Sequence, residues 1–277
     1  MTALRLAALR HPAVGLGLLL LAGVVVPTLF APLLCSHPPA AWPTPLRAPP
    51  QVGYWFGTDA ARRDLWTLTL YGGRTSLGVA GVAALLGTGV GAAVGIGAAW
   101  GGPWFDRAAM AATDLWLALP RLVVLLVVTH FLGPDGRPLQ IAVLIGLTAW
   151  MGVARVVRSE LLAVRELDHV VAARALGLRG ATIARRHLLP AVVPTLLVWA
   201  PAIFGQALLS EAALAFLGPG AGATTPSWGA LVAAGAGQVS SAWWAVAAPV
   251  GAITVAVVGA HLLADGIRDV VQPGASS

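Results

Sequence analysis

The sequence predicts an all-α, polytopic membrane protein with six transmembrane helices. Three observations carry this. The 277 residues are 58% hydrophobic and only 10% charged, where a soluble domain carries about 25% charge. Mean hydropathy is +0.82. Segments 11–46, 75–105, 187–210 and 212–264 contain no Asp, Glu, Lys or Arg. Each is long enough for the roughly 20 apolar residues that carry a helix across hydrocarbon, and helix is the form that satisfies its own backbone there.

The expected spans are 13–34, 76–100, 115–133, 138–157, 191–216 and 243–264. The first follows Arg5 and Arg10 and has the outline of a signal peptide, but it reads as a retained helix, because Leu34 is too large for a cleavage site before Cys35. Residues 1–34 therefore form the N-terminus and first span. Residues 35–74 form a loop that opens with the Pro-rich "SHPPAAWPTPLRAPP" and closes with "DAARRDLWTLTLYGG", an expected amphipathic segment on the membrane surface. Residues 75–277 form a five-helix core. In the second span, Gly87, Gly91 and Gly95 recur every four residues. That spacing allows close helix approach, within the chain or at a subunit interface.

Charge placement gives orientation. Arg155, Arg158, Arg165, Arg174, Arg179, Arg185 and Arg186 cluster between the fourth and fifth spans, whereas no arginine lies between the fifth and sixth. Arg47, Arg62, Arg63 and Arg74 in the first loop argue the other way, offset in part by Asp59 and Asp64. The expected topology has both termini and the 158–190 loop in the cytoplasm. This placement also accounts for the net charge of +6 without any nucleic-acid partner. All 17 basic residues are arginine. A phosphate-binding loop of the Walker type needs lysine, so this chain is not expected to bind or hydrolyse ATP. Cys35 is the single cysteine, and the acidic and histidine residues are too dispersed to suggest a metal site.

The segment "VVAARALGLRGATIARRHLLP", residues 170–190, carries four arginines and no acid between two apolar spans. It reads as two short helices, broken at Gly177 and Gly180 and stopped at Pro190. Ala172, Ala173 and Ala175 make the first helix thin enough to enter a groove on a partner. Val171-Ala172-Ala173, Gly177 and Leu189-Pro190 fall at the offsets of the cytoplasmic EAA loop of ABC importer permeases, which the segment resembles. Val171 stands in place of the family's glutamate and His187 in place of its isoleucine. Three more stretches resemble the C-type permeases of dipeptide, oligopeptide and nickel importers. "FGTDAARRDLWTLTLYGGRTSL" supplies Asp59, Arg63, Asp64, Tyr71, Arg74 and Ser76, with Arg62 where the family has glycine and Leu68 where it has arginine. "WFDRAAMAATDLWLALP" supplies Asp106, Arg107, Asp114 and Pro120, and "SEAALAFLGPGAGATTPSWG" supplies Glu211, Phe216, Gly218 and Trp228.

The resemblance implies the type I importer fold and a bacterial cytoplasmic-membrane location. It implies a pore shared with a second permease, two cytoplasmic ATPase subunits that hold ATP and Mg, and an external solute-binding protein. The chain itself, embedded in lipid, would bind no cofactor. Peptides are the expected substrate, with nickel or a metal chelate as the alternative and a stand-alone secondary transporter as the reading from a different class. The implied coupling residues are Asp168, Ala172, Ala173, Arg174, Gly177, Arg186, Leu189 and Pro190. Glu211 is the sole Asp, Glu, Lys or Arg between His187 and Asp265. It suits a pathway or gate with Phe216 and Trp228, or an interface anchor. Trp228, Trp243 and Trp244 fit an aromatic belt or a docking surface for a binding protein. Asp114 fits a structural ion pair, and His261 helix packing or proton handling.

Overall fold

A computed structural model describes residues 11–37, 39, 45–132, 138–217 and 226–271. The described residues are helical apart from turns, two isolated bridges and the irregular stretch 45–64. Four helices are long and apolar enough to cross a membrane: α1 (Pro12–Leu29), α2 (Leu65–Trp100), α8 (Leu189–Leu217) and α10 (Trp244–Val271). Two bent pairs bring the number to six if each pair is one span. These are α3 (Pro103–Ala118) with α4 (Arg121–Leu132), and α5 (Pro138–Leu147) with α6 (Met151–Arg165). The coupling-loop region holds α7 (Asp168–Ala175), and α9 (Trp228–Ala236) precedes the last span.

The all-α membrane class agrees with the sequence, but three expected spans change shape. The second begins at Leu65, not 76, so the amphipathic segment is the first turns of α2. Asp64 starts it: its carboxylate accepts from the Trp66 and Thr67 amides, both at 3.2 Å, which satisfies orphan donors of the first turn. The expected span 115–133 bends by 86° between α3 and α4. Leu119, which precedes Pro120, is extended (φ −86°, ψ 135°), as a following proline requires. The fourth span bends by 40° between α5 and α6. There the Arg121 guanidinium donates to the Ile145 carbonyl at 3.2 Å, a group that an unbroken helix would use itself, and to the Thr148 hydroxyl at 3.3 Å.

The glycine spacing in α2 serves packing within the chain. A Cβ on Gly91 would lie 2.5 Å from the Val153 Cβ, and one on Gly95 would lie 2.6 Å from the Ala154 carbonyl. So α2 and α6 meet backbone to backbone. The core continues from there through Ala83, Ile141, Ala207 and Leu208 to α10.

Candidate functional site

α7 is set off from α6 at Glu166–Leu167 and ends in a tight reversal. Gly177 has φ +77°; its N–H donates to the Arg174 carbonyl at 3.0 Å, and the Leu178 N–H to the Ala173 carbonyl at 3.2 Å. This pair of bonds is a Schellman cap, which needs a left-handed residue where glycine stands. The helix has two faces. Val170 and Ala173 are buried against Ile183 and Val164 in a small core of their own. Asp168, Val171, Ala172, Arg174 and Leu176 are exposed, Leu176 at 82%. This corrects one expectation: Ala173 belongs to the inner face, 7% exposed, while Ala172 and its neighbours form the free face.

The second short helix also differs from expectation. It runs from Gly180 through a π-turn, Ala184–Leu188, directly into α8, so Pro190 does not stop it. Proline lacks the N–H that would bond back to residue 186, and its ring crowds that carbonyl. The wider π-turn immediately before it takes up the mismatch. Leu189, Pro190 and Arg186 are therefore part of one continuous rod that begins beside α7.

The arginine cluster divides into two groups. Arg155 pairs with Asp114 and Arg158 with Asp106, the latter also through a 2.6 Å bond to Asp106 Oδ2. Arg165 donates to the Ala99 carbonyl and lies over the Trp100 ring at 5.9 Å. These three tie α6 to α3 and to the end of α2. Arg174, Arg179, Arg185 and Arg186 are exposed.

At the other end of the bundle, Glu211 on α8 is 2% exposed. The Ser76 hydroxyl on α2 donates to Glu211 Oε2 at 3.0 Å and accepts from the Trp228 N–H at 3.0 Å. Glu211 Oε1 has no partner among the described residues. Trp228 is buried, and its indole N–H donates to the Thr69 carbonyl at 2.7 Å. Gly73 makes room for that ring, since a Cβ there would lie 2.8 Å from it. Trp228 is thus a core residue, in place of the expected belt position. Phe216 is 53% exposed and outside this cluster, and Gly218 lies outside the described residues. Trp243 is exposed, and Trp244 donates to the Thr58 carbonyl at 3.3 Å. His261 packs over Gly205 with Nδ1 2.8 Å from the Val257 carbonyl.

The residues 57–74 fold into a clasp. Asp59 accepts from the Arg63 amide at 2.7 Å and from its guanidinium at 2.8 Å. Arg74 donates to the last carbonyls of α1, Thr28 at 3.1 Å and Leu29 at 2.9 Å, and lies over the Tyr71 ring. Arg62 has φ +58°, a conformation that suits glycine. Sequence reasoning missed Arg121 at the α5–α6 bend and the linking role of Ser76. An arginine inside an apolar run was the available signal for the first. For the second there was none, because its partners lie far away in sequence.

A family model described as "Binding-protein-dependent transport system inner membrane component" matches residues 89–277. A Brucella abortus protein provisionally named a peptide transport system permease protein is 38% identical over 276 residues, covering 99% of this chain and 91% of its own length. The dipeptide transport system permease protein DppC of Alkalihalophilus pseudofirmus is 35% identical, with 93% and 84% covered. With these matches, the bundle of apolar helices is assigned: the chain belongs to the binding-protein-dependent transport system inner membrane components, as a multi-pass ABC importer permease.

Proposed function

We propose that this permease carries peptides inward through a pore shared with a second, related permease, driven by two cytoplasmic ATPase subunits that dock on α7. The observation that carries this reading is the free face of α7. Val171, Ala172 and Leu176 present exposed apolar surface among arginines, while Val170 and Ala173 fix the same helix to Ile183. A helix held on one side and free on the other suits a groove on a partner. The π-turn and α8 then form a direct mechanical link from that groove to the buried Glu211. ATP and Mg sit on the partner subunits, and this chain binds no cofactor. An external binding protein delivers substrate. The termini and the loop around α7 face the cytoplasm, in line with the exposed arginines there.

At the opposite end, Glu211, Ser76 and Trp228 act as a latch that holds α9 against α2 and α8. Phe216, just beyond, lines the path. The relatives named for peptide and dipeptide transport support the substrate class. The test is reconstitution in proteoliposomes with the second permease, the ATPases and the binding protein. ATP-dependent peptide uptake that vanishes without the ATPases is the expected result. Uptake by this chain alone, or no ATP requirement, would overturn the reading.

A further inference from the structure

Arg121 is the sole Asp, Glu, Lys or Arg in α4 and α5, and it stands where two spans are broken at the same level. It opens α4 directly after the 86° bend, and its hydrogen bonds reach across to the 40° bend between α5 and α6. At the helical rise, α5 extends about 15 Å from that second bend in one direction and α6 about 22 Å in the other. A hydrocarbon core is about 30 Å thick, so the guanidinium lies near mid-depth.

Bracing the bend uses one edge of the guanidinium. Nε donates to the Thr148 hydroxyl and Nη2 to the Ile145 carbonyl, while Nη1 has no partner among the described residues. The two acids of neighbouring α3, Asp106 and Asp114, are engaged by Arg158 and Arg155, and no described carboxylate forms an ion pair with Arg121. The edge left over, Nη1 with the second Nη2 hydrogen, has the fork geometry that grips a carboxylate through two parallel bonds. Arg121 is half-buried, and Leu119, Pro120, Leu122 and Val123 around it are exposed. A charge at this depth faces a water-filled cavity or another polar group, because hydrocarbon does not solvate it. In a permease whose pore forms against a second permease, the open side of α4 is then a wall of that pore.

We infer that Arg121 is a substrate-binding residue of the pathway, and that its free edge takes the terminal carboxylate of the peptide in transit. The inference rests on the peptide-import reading above and deepens it. A terminal carboxylate is common to unmodified linear peptides whatever their side chains, so one guanidinium serves many sequences.

The test uses the reconstituted transporter and two tripeptide probes, one with photoreactive benzoylphenylalanine as its last residue and one with it as its first. During ATP-driven turnover the last-residue probe is expected to label segments 119–123 or 145–148, and the first-residue probe to label elsewhere. Arg121→Gln should abolish the former label and lower the maximal uptake rate at least about tenfold, the worth of a hydrogen bond to a charged group. The KM, set by the external binding protein, should not change. Arg121→Lys keeps the charge and should keep most of the uptake. Thr148→Val removes one strut of the brace but not the free edge, and should keep the label. Equal labelling of these segments by both probes, label confined to other segments, or wild-type uptake by Arg121→Gln would overturn the inference and leave peptide import standing. Thr148→Val matching Arg121→Gln would reduce the guanidinium to a brace, and a folded Arg121→Gln chain that loses the second permease would assign its free edge to that subunit; either result overturns the inference. Should Arg121→Gln fail to fold, the labelling of the wild-type chain decides. A wild-type complex that imports no peptide would overturn the transport reading itself, and this inference with it.

Discussion

Leu176→Ser separates docking from folding. Leu176 is 82% exposed, so the chain gains almost nothing from its side chain, and nearly all its transfer free energy remains available to a partner. Burying a leucine contributes about 1.5–3 kcal/mol. If it sits in the ATPase groove, the serine variant should lose about 2 kcal/mol of attachment, which is roughly a 30-fold weaker Kd at 1.4 kcal/mol per tenfold. Thermal unfolding of the permease itself should not move. Ala173→Leu is the mirror case. Ala173 is 7% exposed and packed against Ile183, and adding bulk to a filled core costs about 1–3 kcal/mol. That variant should loosen the loop locally and weaken attachment only indirectly. The assay titrates ATPase subunits onto permease in nanodiscs and measures bound stoichiometry beside the unfolding midpoint. An unaltered affinity in Leu176→Ser would refute the assignment of the free face, as would a large stability loss in that variant.

Three other changes follow from the same geometry. Gly177→Val should cost about 1–2 kcal/mol of local stability, because its φ of +77° is unfavourable for a residue with a Cβ; Gly177→Asn should be milder, and ATPase attachment reports both. Arg62→Gly should raise the unfolding midpoint modestly, since Arg62 holds φ +58°; a lower midpoint would show that the arginine side chain outweighs its backbone strain. Ser76→Ala leaves the Trp228 backbone N–H without its partner and takes one partner from the Glu211 carboxyl, at about 1–3 kcal/mol for the orphaned N–H; an unchanged midpoint and unchanged uptake would remove the latch from the account.

The apolar spans were legible because hydrocarbon demands long apolar runs, which composition displays directly. The close packing at Gly91 and Gly95 was legible for the same kind of reason, since small residues at four-residue spacing share one helix face. The bends were only partly so. Pro120 announces a break, but its 86° angle depends on what α3 packs against. Ala173 and Ala172 are chemically identical, so sequence could not say which faces inward. Only the fold of Ile183 back onto α7 decides it. Trp228 was misplaced because a tryptophan at the end of a span fits both a membrane belt and a core. What buries it is Gly73, distant in the chain. Pro190 misled for a different reason: a π-turn absorbs the missing hydrogen bond, and nothing in "ARRHLLP" signals that.

Cysteine cross-linking tests the central claim most directly. Cys35 is the single native cysteine, so a Cys35→Ser background carries one probe at a time. A cysteine at Leu176, on the free face, is predicted to cross-link to the ATPase subunit in the assembled transporter, while one at Val170, buried against Ile183, is predicted not to. Failure to cross-link at Leu176 in a complex that still imports peptide would contradict the account.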